Sequence, residues 1–234
     1  MTAFNIKAPR DIAAYTVGEA AHYLGVPAST VRSWFVGTSY SHRGTSKRFH
    51  AVIKPADPKT IALSFSNLVE AYVLTAIRRE RQIGLPTIRK GLAFLTNKLG
   101  SPRPLLNVQF ATKGAELLVE HLGEIINLSR NGQIEMADMI AAYLERVERD
   151  AKGMPIKLYP FMCSQPPREQ PRSIVIDPRV SFGRPVLAGT GIPTAVLAEQ
   201  FKAGDQPQDL AKEYGADERA VWDAIRCELD LQAA

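Results

Sequence analysis

Between Tyr15 and Phe35 the chain reads YTVGEAAHYLGVPASTVRSWF, two short apolar periodicities either side of one glycine. Thr16 followed by Glu19 has the spacing of a capping box: the threonine oxygen accepts from an orphan backbone N–H and the glutamate reaches back. Ala20, Ala21 and Leu24 give the first helix one apolar face. Gly25 ends it, because glycine enters the left-handed conformation without a Cβ penalty. Pro27 and Ser29 stand where a second helix starts, and Val31, Trp34 and Phe35 form its inner side. Two short helices at a tight glycine turn are a helix-turn-helix.

Charge placement agrees with that reading. Residues 1–60 hold eight Lys/Arg and three Asp/Glu, a net of +5, whereas residues 61–234 hold 21 of each. The whole positive excess of the chain therefore sits around the helix-turn-helix, where it attracts phosphate backbones. In the second helix, Ser29, Thr30, Arg32 and Ser33 are the candidate DNA contacts, with Ala28 beside them. Arg32 can pair with guanine or with a phosphate. Trp34 shares the side of Val31 and Phe35 and is expected to pack. Residues 37–64 alternate glycine, serine and basic positions as a hairpin or wing would, and Arg43, Lys47 and Arg48 would follow the DNA backbone from it.

The remainder predicts a mainly α protein with small β elements. Residues 1–14 read as a loose arm. Ser66 is expected to cap a helix with Leu68, Val69, Tyr72, Val73, Ala76 and Ile77 as its stripe. A second helix follows, with Leu85, Ile88, Leu92 and Leu95 inward, and SPRP at 101–104 breaks it. Short strands are expected around Lys113–Gly114 and Leu122–Gly123, with a turn at Asn131–Gly132. Helix returns over MADMIAAYLERVERDAKG. Four prolines at 160–173 mark a linker. A last unit follows: Pro193 opens one helix, Asp205 caps a second and Asp217 a third, a small helix-turn-helix-like domain around Gly215. The divisions are thus 1–100, the DNA-binding region; 101–159, a strand-containing middle with a helix; 160–173, the linker; and 174–234, the C-terminal domain.

Enzymatic readings find little support. His22, His42, His50 and His121 have no metal-ligand spacing, and His22 reads as a helix-surface residue beside Tyr23. Cys163 and Cys227 form no CxxC, and Cys227 reads as core. The glycines at 183, 189 and 191 lack the lysine of a P-loop and the third glycine of a dinucleotide fingerprint. No cofactor, metal or catalytic residue is predicted. No apolar run reaches the length of a membrane span, and a cytoplasmic protein is expected.

Two resemblances carry further. TVGEAAHYLGVPASTVRSWF resembles the winged helix-turn-helix of MerR-type regulators through Thr16, Glu19, Ala21, Leu24, Gly25, Val26, Ser29, Val31, Arg32 and Trp34. IDPRVSFGRPVLAGTGIP and the text after it resemble the DUF433 domain through Asp177, Pro178, Gly183, Pro185, Gly189, Thr190, Ile192, Pro193, Gly204, Leu210 and Tyr214. Gly191 stands where many such domains have arginine. Together the two domains resemble the VapB45-type antitoxins of type II toxin–antitoxin pairs. That resemblance implies an antitoxin that neutralises a PIN-like ribonuclease toxin and represses its own operon; the residues alone also fit a stand-alone helix-turn-helix regulator.

Residues 204–234 hold three Lys/Arg and eight Asp/Glu, a net of −5, which disfavours DNA there and suits a protein partner. Val221, Trp222 and Ile225 are candidate apolar anchors for it. Arg168, Arg172, Arg179 and Arg184 are candidates for insertion into an acidic nuclease cleft. A homodimer is expected, because palindromic sites are met by symmetric pairs. The 105–130 strands and the C-terminal domain both stand as candidate dimer-forming segments.

Overall fold

The computed structural model describes residues 7–42, 45–79, 83–107, 109–160 and 170–229. Its organising element is a helix buried on every side. This is α3, Phe65–Arg79, and from Phe65 to Ile77 no residue reaches solvent appreciably. The expected stripe is buried as read, but Ser66, Asn67, Glu70 and Thr75 on the remaining faces are enclosed too. The cap is Ser64, whose hydroxyl accepts from Asn67 N–H at 3.2 Å. Ser66, expected to cap, donates instead to Asp11 Oδ1 at 2.7 Å.

That bond reflects a second correction. Residues 7–14 are no loose arm. A 3-10 turn over Pro9–Asp11 leads into β1, Ala13–Tyr15, which pairs antiparallel with β4, Leu63–Ser64. Arg10 Nη1 reaches Asp150 at 3.0 Å. Residues 1–6 lie outside the described residues.

The helix-turn-helix forms as its sequence dictates, with α1 at Val17–Leu24 and α2 at Ala28–Val36. After it come β2, Thr38–His42, and β3, Thr45–Phe49, an antiparallel hairpin in the place of a wing. The carbonyl of Trp34 accepts from both Val52 and Ile53 N–H, so the end of α2 is tied to the chain that returns from the hairpin.

Past α4, Leu85–Leu99, the strands expected at 105–130 are absent: this stretch is helix. A π turn at Phe110–Gly114 runs into α5, Ala115–Ile126, and α6 spans Arg130–Leu144 through the supposed Asn131–Gly132 turn. The glycines misled because they serve helix packing. A Cβ on Gly91 of α4 would lie 2.8 Å from Leu118 of α5, and one on Gly123 would lie 2.7 Å from the side chain of Gln133 on α6. Small residues let the helix axes approach here, which a turn signal imitates. Strands form instead near the end of this region: β5, Val147–Arg149, lies where helix was expected to continue, and it pairs with β6, Pro155–Leu158.

The chain then crosses to the C-terminal domain. Arg146 holds both sides of the crossing: its guanidinium donates to Tyr159 O at 2.7 Å, to Gln170 O at 2.9 Å and to Pro171 O at 2.9 Å. Leu158 and Ile176 exchange backbone bonds of 3.0 and 2.8 Å, so the first stretch beyond the crossing adds to the end of β6. In the domain itself β7, Ile174–Val175, pairs with β8, Val186–Leu187. Three helices follow: α7, Thr194–Ala203, α8, Pro207–Tyr214, and α9, Glu218–Leu229. Asp217 accepts from Ala220 N–H as a cap should. Asp205 does not cap; Gln206 occupies that position without a side-chain bond. Leu197, Leu210, Val221, Ala224 and Ile225 form a core separate from the large one around α3. Among the described residues no helix is long and apolar enough to cross a membrane.

Candidate nucleic-acid interface

The first helix of the unit is capped from both directions. Thr16 Oγ1 accepts from Glu19 N–H at 3.1 Å, and Glu19 Oε2 accepts from Thr16 N–H at 2.8 Å. Gly25, at φ 62°, turns the chain, and α2 starts after Pro27. Val31, Trp34 and Phe35 are buried, which fixes the roll of α2 about its axis. The opposite face then presents Ser29 and Arg32 to solvent, with Thr30 half-exposed beside them. The fourth candidate, Ser33, spends its hydroxyl on Thr30 O at 2.7 Å. Lys47 and Arg48 lie on β3, opposite Tyr40 and Ser39. Arg43 falls outside the described residues. An exposed arginine and serine on a helix, with a basic two-stranded ribbon following it, can meet base edges and phosphates together.

The C-terminal domain packs on the other helix of the unit. Tyr15 donates its hydroxyl to Gly183 O at 2.9 Å, and a Cβ at Gly183 would stand 2.3 Å from that hydroxyl. Arg184 pairs with Glu19, the capping-box glutamate, and reaches Tyr23 Oη at 3.3 Å. Burial tends to raise the Glu19 carboxyl, but the Thr16 N–H and hydroxyl and the Arg184 guanidinium outweigh it and hold it below its ordinary value. Burial pushes the Tyr15 and Tyr23 phenols up. The glutamate that caps the start of α1 is thus also a docking point of the other domain.

These contacts reassign several residues. Arg184 is engaged within the molecule by Glu19 and Tyr23, with 46% of its side chain exposed. Arg179 folds back on Asp177, donating from its backbone N, Nε and Nη2 at 2.7–2.9 Å. Arg172 donates to Glu145 O at 2.8 Å and lies over the Tyr159 ring. Arg168 lies outside the described residues. Val221 and Ile225 are fully buried in the core of their own domain, so neither anchors a partner. Trp222 is half-buried, edge-on to Phe201. An apolar side chain that does face solvent was not foreseen: Phe182 is 93% exposed, on backbone at φ 55°. Its signal was the bulky residue before Gly183 in a tight turn. Asp205, Asp209, Glu213, Asp217 and Glu218 line the exposed surface of α8 and the start of α9.

Two domain families match this arrangement. Residues 13–92 match the family described as "Putative DNA-binding HTH domain", and residues 174–226 match "Protein of unknown function (DUF433)". The molecule therefore joins a helix-turn-helix unit that matches a putative DNA-binding domain to a C-terminal segment that matches DUF433. Over 92% of its length, and 93% of the relative's, it is 29% identical to "Putative antitoxin VapB45" of Mycobacterium tuberculosis (strain ATCC 25618 / H37Rv). It is 24% identical to "Uncharacterized protein Rv2308" of the same strain, covering 90% of this chain and 88% of that one. The crystal structure of Rv2018 from Mycobacterium tuberculosis shares the fold, with a TM-score of 0.66 at 24% identity over 92% of this chain and 98% of the other.

Proposed function

We propose that this protein is an antitoxin that represses its own operon through α2 and the β2–β3 hairpin and neutralises a PIN-like ribonuclease toxin. The observation that carries the reading is the outward face of α2, where burial of Val31, Trp34 and Phe35 leaves Ser29 and Arg32 free to meet DNA. Similarity to a protein named as an antitoxin, along nearly the whole of both chains, supports the second half. The protein acts in the cytoplasm as a homodimer on a two-fold operator and performs no catalytic step itself. A MerR-like winged reader suits the hairpin that follows α2.

The toxin-facing side belongs to the C-terminal domain. Its acidic surface along α8 and α9 suits a basic partner, and charge sets partner choice more than affinity. Phe182 supplies the apolar anchor, since exposed aromatic residues dominate interface energetics.

The test has two arms. Fluorescence anisotropy on DNA from upstream of the protein's own gene should show Arg32→Ala binding weaker by about 1–3 kcal/mol, roughly 5- to 150-fold. Unchanged affinity would remove α2 from the DNA contact. Co-expression with the product of the adjacent gene should give co-purification and rescue of growth, both weakened by Phe182→Ala. Loss of both with operator binding intact would leave a stand-alone transcriptional regulator.

A further inference from the structure

Three groups that no sequence spacing connects meet where α9 lies against α1. His22 belongs to α1; Cys227 and Glu228 are consecutive on α9. An imidazole nitrogen, the Cys227 sulfur and a Glu228 carboxylate oxygen all lie within 4.8 Å of one another. Cys227 is only 2% exposed, while the His22 and Glu228 side chains keep 22% and 19%, so the cluster is buried at the thiol and reached by solvent only at the imidazole and carboxylate.

The His22–Glu228 separation, that of an ion pair, is also the one a shared cation would set. His22 Nε2 and Glu228 Oε2 are 3.6 Å apart, beyond hydrogen-bonding distance. Two ligand atoms on one tetrahedral zinc, at bond lengths of about 2.0–2.3 Å, stand roughly 3.3–3.7 Å from each other. The groups around them also orient them. Buried Thr194 donates its hydroxyl to Glu228 Oε1, which leaves Oε2 turned to the imidazole. Tyr23 meets the His22 ring at a steep angle, with centroids 5.1 Å apart. Supporting contacts of this kind fix carboxylate and imidazole ligands.

We propose that His22, Cys227 and Glu228 form a zinc site that joins the helix-turn-helix to the DUF433 domain. A thiolate with an imidazole selects zinc over magnesium or calcium, which take oxygen ligands. Three protein ligands leave the fourth position to water on the side that solvent reaches. Binding forms a sulfur–zinc bond as the Cys227 thiol gives its proton to solvent. Because the ligands come from α1 and α9, the ion binds only when the two domains are docked, and it stabilises that arrangement by mass action.

The test uses the full chain, stripped with a chelator and titrated with cobalt(II), then zinc(II). Wild type and Cys163→Ser should both develop a thiolate-to-cobalt absorption band that zinc abolishes. Cys227→Ser should show none. His22→Gln and Glu228→Gln should bind zinc at least about 10-fold more weakly, and Thr194→Val about 10-fold more weakly through loss of the supporting hydroxyl. Zinc should raise the melting temperature of wild type and not that of His22→Gln, whose partly exposed side chain can change without loss of fold. No band in wild type, a band that survives Cys227→Ser, or an equal melting shift in His22→Gln would each overturn the assignment.

Discussion

Gly183 shows how much a single missing Cβ can hold. Its φ of 78° is one that L side chains enter at a cost of about 1 kcal/mol or more. A methyl there would also collide with the Tyr15 hydroxyl and disturb the bond that this hydroxyl donates to Gly183 O. Gly183→Ala should therefore destabilise the protein by about 2 kcal/mol in urea unfolding, backbone strain and the lost hydrogen bond contributing similarly. Tyr15→Phe removes the obstructing oxygen, so the double variant should lose less than the sum of the two single ones. Additive losses would mean the close approach has no energetic weight. The sequence marks Gly183 as a turn residue, and its backbone bears that out. Its contact with Tyr15 was not legible, because the partner lies 168 positions away. The same holds for Glu19, readable as a cap from its spacing to Thr16 but not as the partner of Arg184. For His22, Cys227 and Glu228, ligand spacing could carry no signal across such a separation.

Among the elements, those whose signal is local were legible. The capping box, the αL glycine and the buried triplet of α2 act within four residues, and α1 and α2 form where they place them. At α5 and α6 glycines that serve helix contact looked like turns. In α3 the apolar stripe was visible, but its polar side was not expected to be enclosed. That side is occupied by Glu70, 5% exposed, which accepts from Arg103 Nη2 at 2.6 Å and Nε at 3.0 Å. Burial pushes the Glu70 carboxyl up against the pull of the guanidinium. Asn67 Nδ2 donates to it as well, at 3.1 Å. Arg103→Met leaves this carboxyl without its main partner. The expected loss is about 2–3 kcal/mol, at the low side for a buried pair because Arg103 keeps partial contact with water. Adding Glu70→Leu should recover most of it, since an apolar pair of similar volume needs no charge compensation. Calorimetry on the two variants decides this: a double variant no more stable than Arg103→Met would mean that the guanidinium acts through packing alone.

At the scale of the whole molecule, the question is what couples the helix-turn-helix unit to the C-terminal domain. The charge asymmetry between the chain's two ends was readable from the sequence. The coupling itself is a short contact: Arg184 on Glu19 and Tyr23, Tyr15 on Gly183, and the Asp177–Arg179 turn that shapes the docking loop. Two carboxyls in it titrate below their ordinary values. In both, burial acts upward; Thr16 and Arg184 overcome it at Glu19, and the Arg179 guanidinium and backbone N–H overcome it at Asp177. A carboxyl with a depressed folded value contributes stability that is fully present above its unfolded value, here 4.5 for Glu19 and 3.8 for Asp177, and that is lost as pH falls through the folded value. The docking loop should consequently loosen below about pH 4.5 while the apolar core around α3 persists. Hydrogen exchange between pH 6 and 3, corrected for intrinsic rates, should show residues 177–193 and α1 losing protection before α3 does. Glu19→Gln, which keeps an acceptor for Thr16 but carries no charge for Arg184, should shift the onset in α1 to lower pH and leave only the acid dependence of Asp177 and of Glu228 against His22. Simultaneous loss of protection in α1 and α3 would place the acid-sensitive group in the large core and not at the contact between the domains.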